Sequence, residues 1–223
     1  MSDRETTGPP RILHVSPAPP RRSEPQGPLG APAGMEPVDI YELEGQDLTD
    51  VCGIVLSGMC DQRHLNTLRD RLEAFVRGGG RLLINGHVIE PFLPGLPKWR
   101  LLPYGGPADL GIRRETDHPV WEGVDVRELL FRAGIPGPHS LETLAQIGVA
   151  GFYGRGYAVD LPDGAVVINS IGQLRAPIDY VFPLGEGEVL VHSGLDLSVF
   201  AMTPGTTLTA IAPNLLTWLG GRA

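Results

Sequence analysis

The sequence has few cysteines, one lysine and no long apolar run. Cys52 and Cys60 are its only cysteines, and Cys52 falls inside a strand-like run. A disulfide framework is therefore disfavoured, and a reducing, cytoplasmic setting is expected. No apolar stretch approaches the ~20 residues that cross a membrane. Residues 1–10 are polar and lack the apolar core of a signal peptide, so we expect them to form a disordered tail.

Positive charge is also scarce. The formal net charge is −8 over 223 residues, and Lys98 is the only lysine. This balance disfavours a nucleic-acid surface. No linker divides the chain, so residues 11–223 are expected to form one domain. Residues 18–37 would then form a long loop, because proline and glycine there prevent a helix.

The most informative segment covers residues 51–92. A continuous apolar run at 51–56 predicts a strand buried on both faces. Apolar residues then recur at helical spacing from 65 to 76, three glycines end that helix, and residues 81–84 predict a second strand. Such a βαβ unit places the carboxyl ends of both strands at one edge of a parallel sheet, where ligands bind in this class of fold.

Further elements complete an α/β prediction. Strands are expected at 11–16 and 38–43, and a hairpin is expected from 180 to 192, with other β structure between 150 and 180. A short helix is expected at 125–131 and a C-terminal helix at 208–219, near Pro213. Trp121 and Trp218 are expected to lie in the core.

The strand-end rule selects the first candidate ligand-binding residues. They follow the two strands of the βαβ unit and are Ser57, Gly58, Met59, Cys60, Asn85 and Gly86. A thiolate at Cys60 would be favoured by the start of the following helix and opposed by the adjacent Asp61. A small side chain packed beneath a loop is the preferred interpretation of Cys60.

Three residues could supply acid–base chemistry. His87 follows the second strand, and His192 and Asp196 follow or end a late strand. They could meet at the same edge, although a histidine in a strand is more often a structural hydrogen-bonding group. No pair has the spacing of a metal motif, so no metal and no cofactor are predicted.

A glycine-rich segment at 151–157 supplies two more candidates. Its glycines allow a ligand to approach the backbone closely. Arg155 offers a planar set of donors for carboxylate or phosphate, and Tyr153 offers a ring face and a hydroxyl. A twisted hairpin entry with surface aromatics is an equally good interpretation.

Several motifs together resemble the class I glutamine amidotransferase-like superfamily. Residues 53–58 resemble its third strand with the oxyanion-hole glycines, and residues 79–86 resemble the next strand, which in that superfamily ends at a nucleophile elbow. Residues 118–124 are similar to a segment of the trehalose-utilisation-type branch, as are residues 177–180, 185–191 and 194–196. The resemblance implies a flavodoxin-like three-layer sandwich with a mostly parallel central sheet and a β-hairpin appendage.

The same resemblance highlights missing catalytic groups. The position of the superfamily's nucleophilic cysteine falls on Asn85, or on His87 if the count shifts by two. Leu195 occupies the place of the late histidine. Because an amide is not a nucleophile at neutral pH, Cys-dependent glutamine hydrolysis is not expected.

Three interpretations of function stay open. The first is a non-classical member that binds a small polar metabolite without Cys-dependent glutaminase activity. The second is a hydrolase or isomerase acting on a sugar-like substrate through His87, His192 and Asp196. The third is a non-catalytic subunit that uses the cleft to bind another protein. The sequence leaves assembly into a homo-oligomer open.

Overall fold

The computed structural model describes residues 10–17, 32–103, 107–130, 156–200 and 205–221, together with positions 140 and 142. Nearly all of the predicted tail and most of the 18–37 loop lie outside this range. The candidates Tyr153 and Arg155 also lie outside it.

Ten strands are present in the described part of the chain, eight of them in one sheet. The strands are β1 (Arg11–Ser16), β2 (Glu36–Asp39), β3 (Val51–Leu56), β4 (Arg81–Asn85), β5 (Trp99–Leu101), β6 (Ile112–Arg114), β7 (Gly156–Ala158), β8 (Val166–Ile171), β9 (Ala176–Leu184) and β10 (Gly187–His192). The order in the large sheet is β2-β1-β3-β4-β10-β9-β8-β6, and β5 pairs with β7 separately. Four of the seven pairings in the large sheet are parallel. The α/β class with a mostly parallel sheet is therefore confirmed.

Helical segments are short. The α-helices are α1 (Gln62–Thr67), α2 (Arg69–Arg77), α3 (Leu197–Phe200) and α4 (Ile211–Gly220). The 3₁₀ helices are Ile40–Gly45, Pro107–Leu110, Pro119–Trp121, Val126–Leu130 and Thr207–Ala210. Within the described ranges, no helix has the length and apolar character needed to cross a membrane.

The predicted βαβ unit is correct. β3 and β4 are parallel neighbours, with Gly53 opposite Arg81 and Leu56 opposite Ile84. Alternate residues of each strand enter two separate apolar clusters. Val55 and Leu83 belong to the cluster that contains α4, whereas Ile54 belongs to the cluster that contains α2. Strands in the middle of the sheet are thus buried on both faces, which explains their continuous apolar sequences.

Two predicted elements differ in detail. The strand expected at 38–43 runs over Glu36–Asp39 instead, so its first two residues fall within the predicted 18–37 loop. It ends at Asp39 because the carboxylate of Asp39 accepts a hydrogen bond from Tyr41 N–H and starts a 3₁₀ helix. The single helix expected after Asp61 divides at Leu68. The hydroxyl of Thr67 donates to the carbonyl of His64 just before this break, a competing bond that bends helices.

The late hairpin is not an appendage. β10 lies inside the large sheet, parallel to β4 on one side and antiparallel to β9 on the other. The local sequence predicts the hairpin of β9 and β10. The parallel partner of β10, which is β4, lies more than one hundred residues earlier in the chain, since Asn85 pairs with His192. Trp121 and Trp218 are both buried in the α4-side cluster, as predicted.

Candidate functional site

A pocket of about 710 Å³ opens at the carboxyl ends of β3 and β4 and beside the residues that follow β10. We call it the mouth pocket. Its lining residues are Ser57, Gly58, Met59, Cys60, Asp61, Gln62, Arg63, Gly86, His87, Ile89, Glu90, Gly194, Leu195 and Asp196. Seven of the predicted site residues are in this set.

The backbone of Gly58 touches that of Gly86 at the inner wall. A Cβ at Gly86 would stand 2.7 Å from the Cα of Gly58, and Gly86 has φ +85°. Both the close approach and the left-handed conformation require glycine here. The two glycine turns noted in the sequence therefore hold the ends of β3 and β4 against each other.

Asp196 joins this wall from the other end of the chain. Its Oδ1 accepts a hydrogen bond of 2.7 Å from Gly58 N–H, and its carbonyl accepts one from Val199 N–H at the start of α3. The residue is only 4% exposed. Its second oxygen, Oδ2, is buried and has no hydrogen-bond partner within the described ranges.

His14 and Ser16, at the end of β1, are buried polar residues that sequence reasoning missed. The pKa of His14 is lowered by burial, and the negative charge of Asp196 works against that shift. In the described part of the chain, His14 Nε2 and Ser16 Oγ have no hydrogen-bond partner. The sequence did offer one signal for His14. It is a histidine in an otherwise apolar strand, and the carboxyl end of that strand should lie at the same edge of the sheet as the ends of β3 and β4.

Cys60 is a poor nucleophile in this setting. Its thiol donates to the carbonyl of Val15 across 3.3 Å, and burial, with the charge of Asp196 second, raises its pKa to about 12. Almost no thiolate would exist at neutral pH. The geometry agrees with the packing interpretation preferred from the sequence.

Gln62 and His87 organise the outer wall. Gln62 donates to the carbonyl of His87 at 2.6 Å and accepts from the N–H groups of Ile89 and Glu90. The His87 ring packs against the Trp99 ring at a tilt of 31°, with centroids 4.6 Å apart. Gln62 therefore ties the start of α1 to the loop after β4, a long-range role that no local sequence pattern signals.

Asn85 is adjacent to the pocket but does not line it. It is 3% exposed, its amide donates to the carbonyl of Leu56, and its side-chain oxygen accepts from Leu197 N–H. The turn after β4 also differs from a nucleophile elbow, which runs directly from strand to helix. Residues 86–98 are all described and contain no helix.

His192 lies in the interior of the sheet beside Asn85, outside the pocket lining. It is fully buried, and its Nδ1 is 2.6 Å from Oδ1 of Asp179. Oδ2 of Asp179 accepts from Asn169, whose side-chain oxygen accepts from Arg114. We call these four residues the buried polar chain. Each link is made by protein groups, as expected of a structural network.

Among the residues that the structure describes, no group of three or more His, Cys, Asp or Glu side chains could hold an ion. The lining of the mouth pocket combines three carboxylates with the guanidinium of Arg63 and the ring of His87.

Comparison with known proteins defines the fold but not the family. No family model and no curated protein match the chain. The cytoplasmic protein STM3548 from Salmonella typhimurium is 15% identical, with a TM-score of 0.52 over 85% of this chain and 82% of that one. The cytoplasmic protein STM1381 from Salmonella typhimurium LT2 is 12% identical, with a TM-score of 0.50 over 84% and 82%. At such identities the likeness shows a shared fold alone.

Proposed function

We propose that this chain is a non-classical class I glutamine amidotransferase-like protein of the trehalose-utilisation type, built as a flavodoxin-like three-layer sandwich. The order of the motifs along the sequence supports this, as does a mostly parallel sheet with an apolar cluster on each face. The chain would differ from the superfamily in its site chemistry.

Its function is to bind a small polar metabolite in the mouth pocket. The observation that carries this proposal is the carboxylate of Asp196, which lines the pocket and has one buried oxygen without a partner in the described ranges. An unpaired buried acceptor costs about 1–3 kcal/mol. A ligand that donates a hydrogen bond there would recover that cost.

Cys-dependent glutaminase activity is not part of the proposal. The residue at the superfamily's nucleophile position is Asn85, and both ends of its amide are engaged in the fold. Cys60 is held as a thiol by a pKa of about 12. No other cysteine follows β3 or β4.

A thermal-shift screen of polar metabolites, with glutamine included, tests this function. A true ligand should raise the melting temperature by about 2 °C or more at saturating concentration, since binding to the native state stabilises it by mass action. Glutamine should release no ammonia. His87→Phe keeps an aromatic ring against Trp99 and should weaken the ligand-induced shift.

The matched control is His64→Phe. His64 is also a half-buried histidine against an aromatic ring, Tyr41, but it does not line the pocket. Its ligand response should equal that of the unmodified protein. A ligand shift that survives His87→Phe, or disappears equally in both variants, would argue against the mouth pocket as the site.

A second candidate function is acid–base catalysis on a sugar-like substrate. It is favoured by one observation, which is that His87 and Asp196 line the same pocket. In that case His192 would act only as a positioning residue, because it is fully buried on Asp179. Turnover of a hit from the screen, lost in both His87→Phe and Asp196→Asn, would support it.

A protein-binding cleft is the third candidate, and three exposed apolar side chains at the pocket support it, Met59, Ile89 and Leu195.

We also propose a cytoplasmic location, which agrees with the names of the two Salmonella proteins that share the fold. Nucleic acid and membranes are not proposed as partners. A homo-oligomer remains open and would be visible by light scattering.

A further inference from the structure

Three buried polar side chains at the carboxyl edge of the sheet each have an atom without a hydrogen-bond partner in the part of the chain that the structure describes. The atoms are His14 Nε2, Ser16 Oγ and Asp196 Oδ2. Asp196 lines the mouth pocket, whereas His14 and Ser16 are not in its lining. The charge of Asp196 acts on the imidazole of His14.

The chemistry of Asp196 restricts what the pocket can accept. A carboxylate oxygen is an acceptor, so Oδ2 of Asp196 requires a donor. The neutral imidazole of His14 and the hydroxyl of Ser16 can each donate or accept, so they place no restriction on the ligand.

The charges around the pocket also favour a ligand that donates hydrogen bonds. Asp61, Glu90 and Asp196 line it, against a single cation, Arg63. Arg63 Nε lies 3.6 Å from Glu90 on the exposed side, so part of its charge is already matched there. The excess negative charge attracts a cation and repels a carboxylate.

The entrance of the pocket is apolar. Met59 follows β3, Ile89 follows β4 and Leu195 follows β10, and they are 72%, 65% and 47% exposed. All three line the same pocket. We call them the apolar rim. Large exposed apolar side chains gathered at one opening favour a ligand with an apolar part.

We propose that the mouth pocket binds a primary amine, with its protonated amino group at Asp196 and a short apolar portion against the apolar rim. An ammonium group has three donors and no acceptor, which matches the carboxylate of Asp196. This inference rests on the proposed function, because it names the ligand class of the same site.

A matched series of three small probes tests the inference on the full chain. ¹⁵N-labelled protein is titrated at pH 7.5 and constant ionic strength with n-butylammonium chloride, 1-butanol and sodium butyrate. Butylammonium should shift the amide signals of Gly58 and Gly86 saturably, with a dissociation constant on the order of millimolar for so small a probe. Butanol should bind roughly tenfold more weakly, and butyrate should show no saturable shift at these amides.

Two pairs of variants locate the contacts. Asp196→Asn keeps the acceptor for Gly58 N–H and should weaken butylammonium binding by roughly tenfold or more. Asp163→Asn, on an exposed turn, should leave it unchanged. Leu195→Ser should weaken binding by roughly threefold, whereas Leu174→Ser, at an 81% exposed position outside the pocket lining, should not.

The outcomes separate this inference from the proposed function. If butanol or butyrate shifts the two glycine amides as strongly as butylammonium, the amine inference is overturned and the pocket remains a ligand site. If none of the three probes produces saturable shifts there, the amine inference is also overturned, and the metabolite screen still decides the proposed function. If Asp196→Asn loses its native spectrum, the probe series and Leu195→Ser decide instead.

Discussion

Two buried carboxylates lie near the carboxyl edge of the same sheet and differ in how their hydrogen bonds are completed. Asp179, in the buried polar chain, has one oxygen paired with His192 and the other with Asn169. Asp196 is also buried, but its Oδ2 has no partner in the described ranges. Burial alone therefore does not separate structural from functional carboxylates. Completion of the hydrogen bonds does so better.

The largest expected effect comes from breaking the buried polar chain. Asp179→Ala removes the partner of His192 and of the Asn169 amide in a fully buried place. We expect a loss of about 3–5 kcal/mol in the free energy of unfolding, measured by urea denaturation. Asp196→Ala should cost clearly less, because it removes one bond from Gly58 and an acceptor that has no partner in the described ranges. Equal losses in the two variants would remove the distinction between the two carboxylates.

A smaller effect is expected at the glycine contact that shapes the pocket. Gly86→Ala combines a left-handed backbone with a Cβ 2.7 Å from Gly58, so it should lower the free energy of unfolding by about 2–4 kcal/mol. Gly79→Ala is the control, because Gly79 has φ +96° and nothing within 4 Å of the added carbon. It should lose about 1 kcal/mol from backbone strain alone. Equal effects would mean that the close approach of the two turns is unimportant.

The smallest expected effect is on the pH dependence of stability, and it concerns His118. Burial lowers the pKa of His118 from 6.5 to about 4, with the charge of Asp179 acting against the shift. Because the unfolded state binds the proton more readily, stability is fully present above pH 6.5 and declines as the pH falls toward 4. His118→Asn keeps an acceptor for Val120 N–H and should reduce that decline by on the order of 1 kcal/mol. Denaturation at pH 7 and pH 4.5 measures this loss of stability. An equal loss in His118→Asn and in the unmodified protein would contradict the role given to His118.

The sequence was a good guide where structure depends on local pattern. The apolar run of β3, the periodic helix residues and the triple glycine all lie within forty residues, and they predicted a parallel pair that the structure contains. The strand-end rule then placed Gly58 and Gly86 at one pocket with Asp196. Periodicity could not show that Leu68 divides the helix, because a single side-chain bond from Thr67 competes with the helix there.

The features of the site that the sequence did not predict depend on contacts between residues far apart in the chain. Asn85 was predicted to face the ligand, but Leu197 N–H reaches its oxygen from 112 residues away and holds it in the wall. His192 was considered for acid–base chemistry, whereas Asp179 across the hairpin binds it inside the sheet. His14 was overlooked because its significance arises only when Asp196 folds back beside it. No local pattern contains any of these partners.

The position of β10 between β4 and β9 has a kinetic consequence. The hydrogen bond from Gly58 to Asp196 spans 138 residues, so one wall of the pocket exists only after most of the chain has been synthesised and the last strand has paired. Such distant pairings slow folding, because loop entropy must be lost before the contacts are gained. A nascent or truncated chain that stops before β10 would consequently lack the site altogether. Ligand binding would therefore report completed folding, and a ligand present during folding would trap the finished state by mass action.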